Sequence, residues 1–115
     1  MQLNWVKCQS GNWCGFLTVG LDHEHFNDLK GVYIIWSGDK VVRLGSGIIK
    51  NRLAEHRENK EITKYPDLRV TWAQVNANQM KGVEKFLADK LDPLVGERFP
   101  DRTQIPVNLP QFKQA

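Results

Sequence analysis

The pattern of apolar and polar residues predicts a hairpin of two antiparallel strands between residues 31 and 45. Residues 31–36 (Gly-Val-Tyr-Ile-Ile-Trp) are rich in the β-branched and aromatic side chains that favour strands. Residues 37–40 (Ser-Gly-Asp-Lys) have the composition of a turn, and residues 41–44 (Val-Val-Arg-Leu) predict the returning strand.

The residues after the hairpin predict a helix, a third strand and a second helix. The first helix is expected from about residue 48 to about residue 60, with Ser46 as its N-cap after a glycine-rich segment ends the strand. Residues 68–75 are rich in strand-forming side chains. Residues 79–91 have apolar positions at helical spacing and predict the second helix.

This order of elements predicts an α+β fold with a small central antiparallel β-sheet flanked by helices. The sheet is expected to have about three core strands, and residues 13–21 are a candidate for an additional N-terminal strand. Residues 96–115 contain three prolines and predict an extended tail. We therefore expect a single domain over residues 1–115, with its core at about residues 31–95.

The composition is that of a globular chain. It has 115 residues, of which 41% are hydrophobic and 25% charged, and this length is enough for one core. No apolar run approaches the roughly 20 residues that span a bilayer. The first residues lack the charged-then-apolar layout of a signal peptide. We therefore expect a cytoplasmic protein with no membrane partner.

The two cysteines, Cys8 and Cys14, are expected to be free structural thiols. Nothing else in the sequence indicates an oxidising compartment, and their spacing does not match a paired-cysteine zinc site. A buried thiol would then pack as a small apolar side chain.

Basic residues are concentrated in the middle third of the chain. The net charge of +3 permits a nucleic-acid partner without requiring one. A solvated basic face and a nucleic-acid footprint both explain the concentration. The residues are Lys40, Arg43, Lys50, Arg52, Arg57, Lys60, Lys64 and Arg69.

Arg52 and His56 lie on one face of the first predicted helix because they are four residues apart. That face overlaps the edge of the apolar stripe formed by Ile49 and Leu53. A charged group at the margin of a core needs a partner. One interpretation is a structural salt bridge for Arg52 and a packed imidazole for His56, and the other is a functional cleft.

Glu84 lies at the margin of the buried stripe predicted for the second helix, close to Leu87. Its carboxylate could pair with Arg52 or hold a divalent cation through its oxygens.

Tyr33 is predicted to face the opposite side of the sheet from Val32 and Ile34, because side chains alternate along a strand. Arg43 on the returning strand is a candidate cross-strand neighbour of Tyr33. A single strand tyrosine most often serves packing.

Taken in order, these residues resemble the GIY-YIG nuclease family. Gly-Val-Tyr at residues 31–33 lies on the first strand, and Arg-Leu-Gly at residues 43–45 ends the next one. Arg52 and His56 share one helix, and Glu84 lies on another.

The resemblance, which covers about residues 31–95, implies a metal-dependent endonuclease that hydrolyses DNA phosphodiester bonds. It implies that Glu84 holds a single Mg²⁺ or Mn²⁺ ion, which lowers the pKa of bound water. Arg52 is the residue implied to stabilise developing negative charge. Tyr33 is implied to be a general base or to position water, and His56 to orient the nucleophile or the phosphate.

Two features depart from the family's pattern. Arg43 replaces the tyrosine of the second motif and is a candidate phosphate contact, together with Lys50 and Arg57. The asparagine that the family often has after the glutamate has no counterpart, unless Asn108 is brought back by the tail. The alternative is therefore a catalytically weak GIY-YIG module that binds nucleic acid or a protein partner, and a purely structural domain is the third interpretation.

Two other patterns have both structural and functional interpretations. Residues 22–25 (Asp-His-Glu-His) are expected to be a surface loop, although their side chains suit transition metals. The tryptophans suit base stacking. Trp13, Trp36 and Trp72 lie in predicted strands, however, which favours core packing.

Overall fold

Within residues 1–96 and 100–112, which this computed structural model describes, four strands and three α-helices follow one another along the chain. In chain order they are β1 (Cys14–Gly15), β2 (Lys30–Ser37), β3 (Lys40–Ile48), α1 (Ile49–Arg57), α2 (Lys60–Thr63), β4 (Leu68–Gln74) and α3 (Met80–Leu91). The predicted α+β fold, with a small antiparallel sheet flanked by helices, is confirmed.

The sheet has the strand order β1-β4-β2-β3, with antiparallel pairing throughout. Strand β2 is therefore central, and Tyr33 lies opposite Gly45 on β3 and Trp72 on β4. Strand β3 forms one edge. The backbone N–H groups of Leu94 and Val95 bond to its first residues, at 3.1 and 2.8 Å.

Helices pack on both faces of the sheet, so two separate apolar clusters form. Strand alternation places Val32 and Ile34 in the cluster with α3, and Tyr33 in the cluster with α1 and α2. The predicted orientation of Tyr33 is confirmed. Two faces that are both buried also explain why six consecutive residues of β2, 31–36, are buried.

Strand β3 is longer than predicted, because the Gly-Ser-Gly segment at residues 45–47 continues the strand to Ile48. The N-cap of α1 is Ile48, which makes no side-chain cap bond, so the prediction of Ser46 as the cap is wrong. The first predicted helix also divides into α1 and α2, because Asn59 caps a second short helix by accepting from the N–H of Glu61.

The predicted N-terminal strand over residues 13–21 shrinks to the two residues of β1. A turn follows, in which the N–H of Val19 bonds to the carbonyl of Gly15 at 3.0 Å. At the other end of the chain, residues 100–112 contain no helix or strand, as the prolines predict. Residues 97–99 and 113–115 of the predicted tail lie outside the described residues.

Cys8 and Cys14 form a disulfide, so the expectation of free thiols is wrong. A short 3-10 turn at Gln9–Gly11 reverses the chain, and the N–H of Cys8 bonds to the carbonyl of Asn12 at 2.8 Å. The two Cα atoms are thereby 5.0 Å apart, which is within the range that a disulfide bridges. The sequence spacing alone does not reveal this reversal.

Asn108 ties the C-terminal tail to the N-terminus. Its side chain accepts from the N–H of Leu3 at 2.5 Å and donates to the carbonyl of Leu3 at 3.0 Å. Its own carbonyl accepts from Trp5 Nε1 at 2.9 Å. The tail does fold back, but Asn108 is engaged in these structural bonds. Across the described part of the chain, the helices are all too short or too polar to cross a bilayer.

Candidate active site

Tyr33 and His56 form a buried pair between β2 and α1. Tyr33 Oη lies 2.5 Å from His56 Nε2. Tyr33 is fully buried, and His56 is only 7% exposed. The hydroxyl fits under β3 because Gly45 has no side chain: a Cβ atom there would lie 2.5 Å from Tyr33 Oη.

Arg43 and Arg52 bring two positive charges to this pair. Arg43 is paired with Ile35, and Ile35 lies two residues after Tyr33 on β2. Because side chains alternate along a strand, Arg43 lies on the same sheet face as Tyr33. Arg52 packs its side-chain carbons against Gly47. In both arginines, Nε is buried without a hydrogen-bond partner. Unpaired buried donors of this kind are costly, and an anion with several oxygens would satisfy them.

Burial and the two arginines set the charge state of the pair. Burial raises the pKa of Tyr33 above its usual value, although the charges and hydrogen bonds of Arg43 and Arg52 oppose the rise. Burial, together with the same two cations, lowers the pKa of His56 to about 4. Both rings are therefore neutral at neutral pH.

The direction of the Tyr33–His56 hydrogen bond follows from the surrounding donors. Guanidinium groups only donate, so the Arg43 and Arg52 side chains near Tyr33 offer its proton no acceptor. We therefore assign the tyrosine proton to the bond with His56 Nε2, which accepts, and the imidazole proton to Nδ1. The neutral imidazole is thus the hydrogen-bond acceptor that fixes the orientation of the phenol.

Glu84 lies on the opposite face of β3 from this group. Ser46 is paired with Val32, faces α3, and donates from Oγ to Glu84 Oε1 at 2.6 Å. Lys81 Nζ is 3.6 Å from the same carboxylate oxygen. The structure therefore brings Tyr33, Arg52 and His56 together with Arg43, and leaves Glu84 across the strand at the Gly-Ser-Gly segment.

The donors around Glu84 fit a hard divalent cation. Mg²⁺ prefers oxygen ligands and commonly uses one or two carboxylates, with waters and substrate phosphates completing its shell. Glu84 supplies one carboxylate, and Ser46 supplies a neutral oxygen beside it. In residues 1–96 and 100–112, no three His, Cys, Asp or Glu side chains form a metal-binding group, so any protein ligand set here is small.

The other two residues predicted to contact DNA have different environments. Arg57 donates from Nε to the carbonyl of Phe16 at 3.0 Å and from a terminal nitrogen to that of Val19 at 2.6 Å. Its guanidinium therefore holds the turn after β1, and burial lowers its pKa. Lys50 is half-buried in the first turn of α1 and lines a concavity of about 330 Å³ with Lys30.

The Asp-His-Glu-His segment has structural contacts. His25 Nε2 accepts from Trp72 Nε1 at 3.0 Å, and its ring packs on Phe26 and Trp72. His23 Nδ1 accepts from the N–H of His25 at 3.0 Å and so caps a 3-10 turn. These bonds agree with the expected loop.

Comparisons with known proteins add no further assignment: a scan against family models, a search of curated proteins and a search of solved structures each gave no match. The sequence interpretation missed Ser46 and Lys81 as the neighbours of Glu84. Lys81 and Glu84 are three residues apart on a helix, and this spacing is the one sequence signal that could have indicated their ion pair.

His56 is expected to make the folding stability depend on pH. Its folded pKa of about 4 lies below the unfolded value of 6.5, so the unfolded chain takes up a proton first as the pH falls. Stability present above about pH 6.5 is then lost toward about pH 4, with a loss of about 2 kcal/mol between about pH 7.5 and pH 5.

Urea unfolding of the parent, His56→Gln and His23→Gln at both pH values measures this. His56→Gln should lose most of the pH dependence, whereas His23→Gln, at an exposed position, should retain it. Equal pH dependence in the parent and His56→Gln would contradict the assignment of a neutral buried His56.

Proposed function

We propose that this protein is a metal-dependent endonuclease of the GIY-YIG type that hydrolyses phosphodiester bonds in DNA. The observation that carries the proposal is the group of two arginines around the Tyr33–His56 pair. Together these side chains offer positive charge for a phosphate and an oriented hydroxyl that can position water.

The two guanidinium groups are the phosphate-binding part of the proposed site. Planar guanidinium donors match the oxygens of a phosphate better than a lysine ammonium does. The buried, unpaired Nε atoms of Arg43 and Arg52 gain partners when a phosphate binds. The same charges would stabilise the negative charge that develops on the phosphate oxygens in the transition state.

The Tyr33–His56 pair is the water-positioning part. His56 accepts the hydrogen bond of the phenol and fixes its orientation, so that Tyr33 Oη can accept a hydrogen bond from the attacking water and hold it beside the phosphate. Tyr33 has no exposed surface, so water reaches it only after a covering side chain moves. Arg52 is the side chain best able to move, because it is 38% exposed and its ion pair with Glu55 is an exposed one of low energy.

Glu84, with Ser46 beside it, is the part of the site that would hold Mg²⁺ or Mn²⁺. When bound, the cation neutralises charge on the phosphate and lowers the pKa of a coordinated water. Glu84 is 7% exposed and oriented by Ser46, so its carboxylate is held in one position. The proposal requires the phosphate to lie at the edge of β3, where the two faces of the strand meet.

A nucleic-acid-binding module without cleavage is the second candidate. Two observations favour this candidate. Tyr33 is buried from solvent, and Lys81 already pairs with Glu84. Such a module would use Arg43 and Arg52 for phosphate contacts and leave the buried pair as structural support.

Incubation with DNA in Mg²⁺ or Mn²⁺ separates the two candidates. Branched, nicked and linear DNA are each given to the parent, Glu84→Ala and Arg52→Ala, with Glu61→Ala and Arg102→Ala as matched exposed controls. We expect cleavage by the parent and both controls and none by the two site variants.

The absence of cleavage by the parent, or equal cleavage by all five proteins, would reject the nuclease. Binding affinity measured against salt concentration then tests the module. A phosphate-binding protein loses affinity as salt rises, whereas an affinity independent of salt would reject phosphate contacts as well.

A further inference from the structure

Trp13 is distinguished from the other tryptophans by its surroundings. Trp36 and Trp72 are buried in the sheet, and Trp5 donates its indole N–H to the tail. Trp13 is half-buried and precedes Cys14, whose disulfide and pairing with Val70 hold this segment against β4. The prediction that the strand tryptophans serve core packing therefore holds for Trp36 and Trp72, whereas Trp13 packs only partly against the core and leaves part of its ring in a pocket that Trp36 also lines.

The pocket beside Trp13 has aromatic walls. It has a volume of about 480 Å³ and lies at the turn end of the β2–β3 hairpin, next to Gly38. The Trp13 ring meets Trp36 edge to face, with centroids 5.5 Å apart, and Phe112 stacks on Trp36 with centroids 4.5 Å apart. We name this site the Trp13 pocket; its lining residues are Asn12, Trp13, Trp36, Gly38, Asp67, Arg69 and Phe112.

The rim of the Trp13 pocket combines an ion pair with hydrogen-bonding groups. Lys7 Nζ lies 4.6 Å from the centroid of the Trp13 ring but is not one of the residues that line this pocket. Arg69, 43% exposed, pairs with Asp67 at 3.2 Å. Asn12 and Asp67 are exposed and present amide and carboxylate groups at the opening. Aromatic rings beside hydrogen-bonding groups suit a small planar ligand that has both a π face and polar edges.

We infer that the Trp13 pocket binds an unpaired nucleobase of single-stranded nucleic acid. A base stacks on an aromatic ring through its π face, and the polar rim can bond to its edge. Arg69 on the rim is paired with Asp67, and Lys7 beside the Trp13 ring adds a positive charge next to the pocket, which favours the phosphate attached to a nucleotide. The choice of nucleic acid as the source of the base rests on the proposed function.

The same features disfavour a cationic ligand. Aromatic cages for quaternary ammonium groups also use tryptophan and phenylalanine rings. At the Trp13 pocket, however, Arg69 neutralises the carboxylate of Asp67, and the ammonium of Lys7 beside the Trp13 ring repels a further cation. A base in a duplex is stacked and paired, so the pocket selects strands with unpaired bases.

NMR and binding measurements on the full chain test the inference. The indole N–H signal of Trp13 is followed while thymidine monophosphate or tetramethylammonium is added. The affinity for a labelled oligothymidine and for a hairpin duplex is then measured in EDTA, which prevents metal-dependent cleavage. The proteins are the parent, Trp13→Leu, Phe112→Leu and the control Trp5→Leu, each checked for folding by urea unfolding.

We expect the Trp13 signal to shift with the nucleotide and not with tetramethylammonium. Trp13→Leu should weaken binding to oligothymidine about tenfold or more, because stacking on one aromatic ring is worth about 1–3 kcal/mol per base. Trp5→Leu should bind as the parent does. Equal binding by Trp13→Leu and Trp5→Leu, or a Trp13 shift with tetramethylammonium alone, would overturn the inference.

The binding test of the Trp13 pocket and the cleavage test of the nuclease can fail separately. If Trp13→Leu loses affinity while the parent fails to cut any DNA, the base pocket stands and the nuclease does not. If Arg52→Ala loses cleavage while Trp13→Leu retains full oligothymidine affinity, the nuclease stands and the base pocket does not.

Discussion

Arg52→Lys is expected to slow DNA cleavage about 100-fold, and Arg52→Ala about 1,000-fold, because a positioned donor to developing negative charge contributes a factor of this size. Lysine keeps the charge but loses the planar pair of donors that matches two phosphate oxygens. The side-chain carbons of Arg52 also pack on Gly47, which fixes where the guanidinium lies. Single-turnover cleavage rates at saturating Mg²⁺ measure the effect.

Arg102→Lys is the matched control, since this arginine is exposed in the C-terminal tail. Arg43→Lys should slow cleavage as well, and the double variant should lose less than the product of the two single effects because the proposed mechanism has both groups bind one phosphate. Rates for Arg52→Lys within a factor of about two of the parent would contradict a role in the transition state.

Gly45→Val is expected to lower the free energy of unfolding by more than about 4 kcal/mol, and Gly45→Ala by about 2–3 kcal/mol, because overpacked cores have costs of this order. A Cβ atom at Gly45 would lie 2.5 Å from Tyr33 Oη and 2.9 Å from Tyr33 Cζ. Tyr33 is fully buried between β2 and α1, so its ring cannot move away without disturbing both elements.

Urea unfolding measures this loss, with Gly20→Val as the control because a Cβ at Gly20 meets nothing within 4 Å. Removing the hydroxyl from Tyr33 should relieve part of the overlap. Gly45→Ala combined with Tyr33→Phe is therefore expected to be more stable than the sum of the two single changes predicts. Strict additivity in this double-mutant cycle would show that Tyr33 does not occupy the space above Gly45.

The two glycines of the Gly-Ser-Gly segment have different reasons for their small size. Gly45 leaves space for the Tyr33 hydroxyl. Gly47 has a φ of +133°, a conformation that side chains disfavour, and lets Arg52 pack against the backbone. Ser46 between them is aimed at the opposite face and orients Glu84. This segment therefore joins the two halves of the proposed site.

The local pattern was sufficient to predict the main elements. The hairpin, the third strand and α3 follow from periodicity, because β-branched runs and a 3.6-residue repeat each have one low-energy backbone. The shared helix face of Arg52 and His56 follows from the same geometry. Helix ends were predicted less well, since Ser46 has the composition of a cap but its hydroxyl bonds to Glu84.

Contacts between distant segments required the tertiary structure. Arg43 meets Tyr33 because of the hairpin register, and the irregularity between Ile35 and Trp36 shifts that register by one residue. A shift of one residue moves a side chain to the other sheet face, so the sequence could not decide this contact. The Cys8–Cys14 disulfide likewise depends on a chain reversal that no local pattern indicates.

The sequence by itself determined the α+β class and predicted the candidate site residues on which the proposed function rests. Only the tertiary structure decided that Tyr33, His56 and Arg52 gather with Arg43 on one face of the sheet while Glu84 lies across β3. The physical reason is the distance along the chain over which each effect acts. Backbone preference and periodicity act within a few residues, whereas register, packing and burial depend on segments that meet only when the chain has folded.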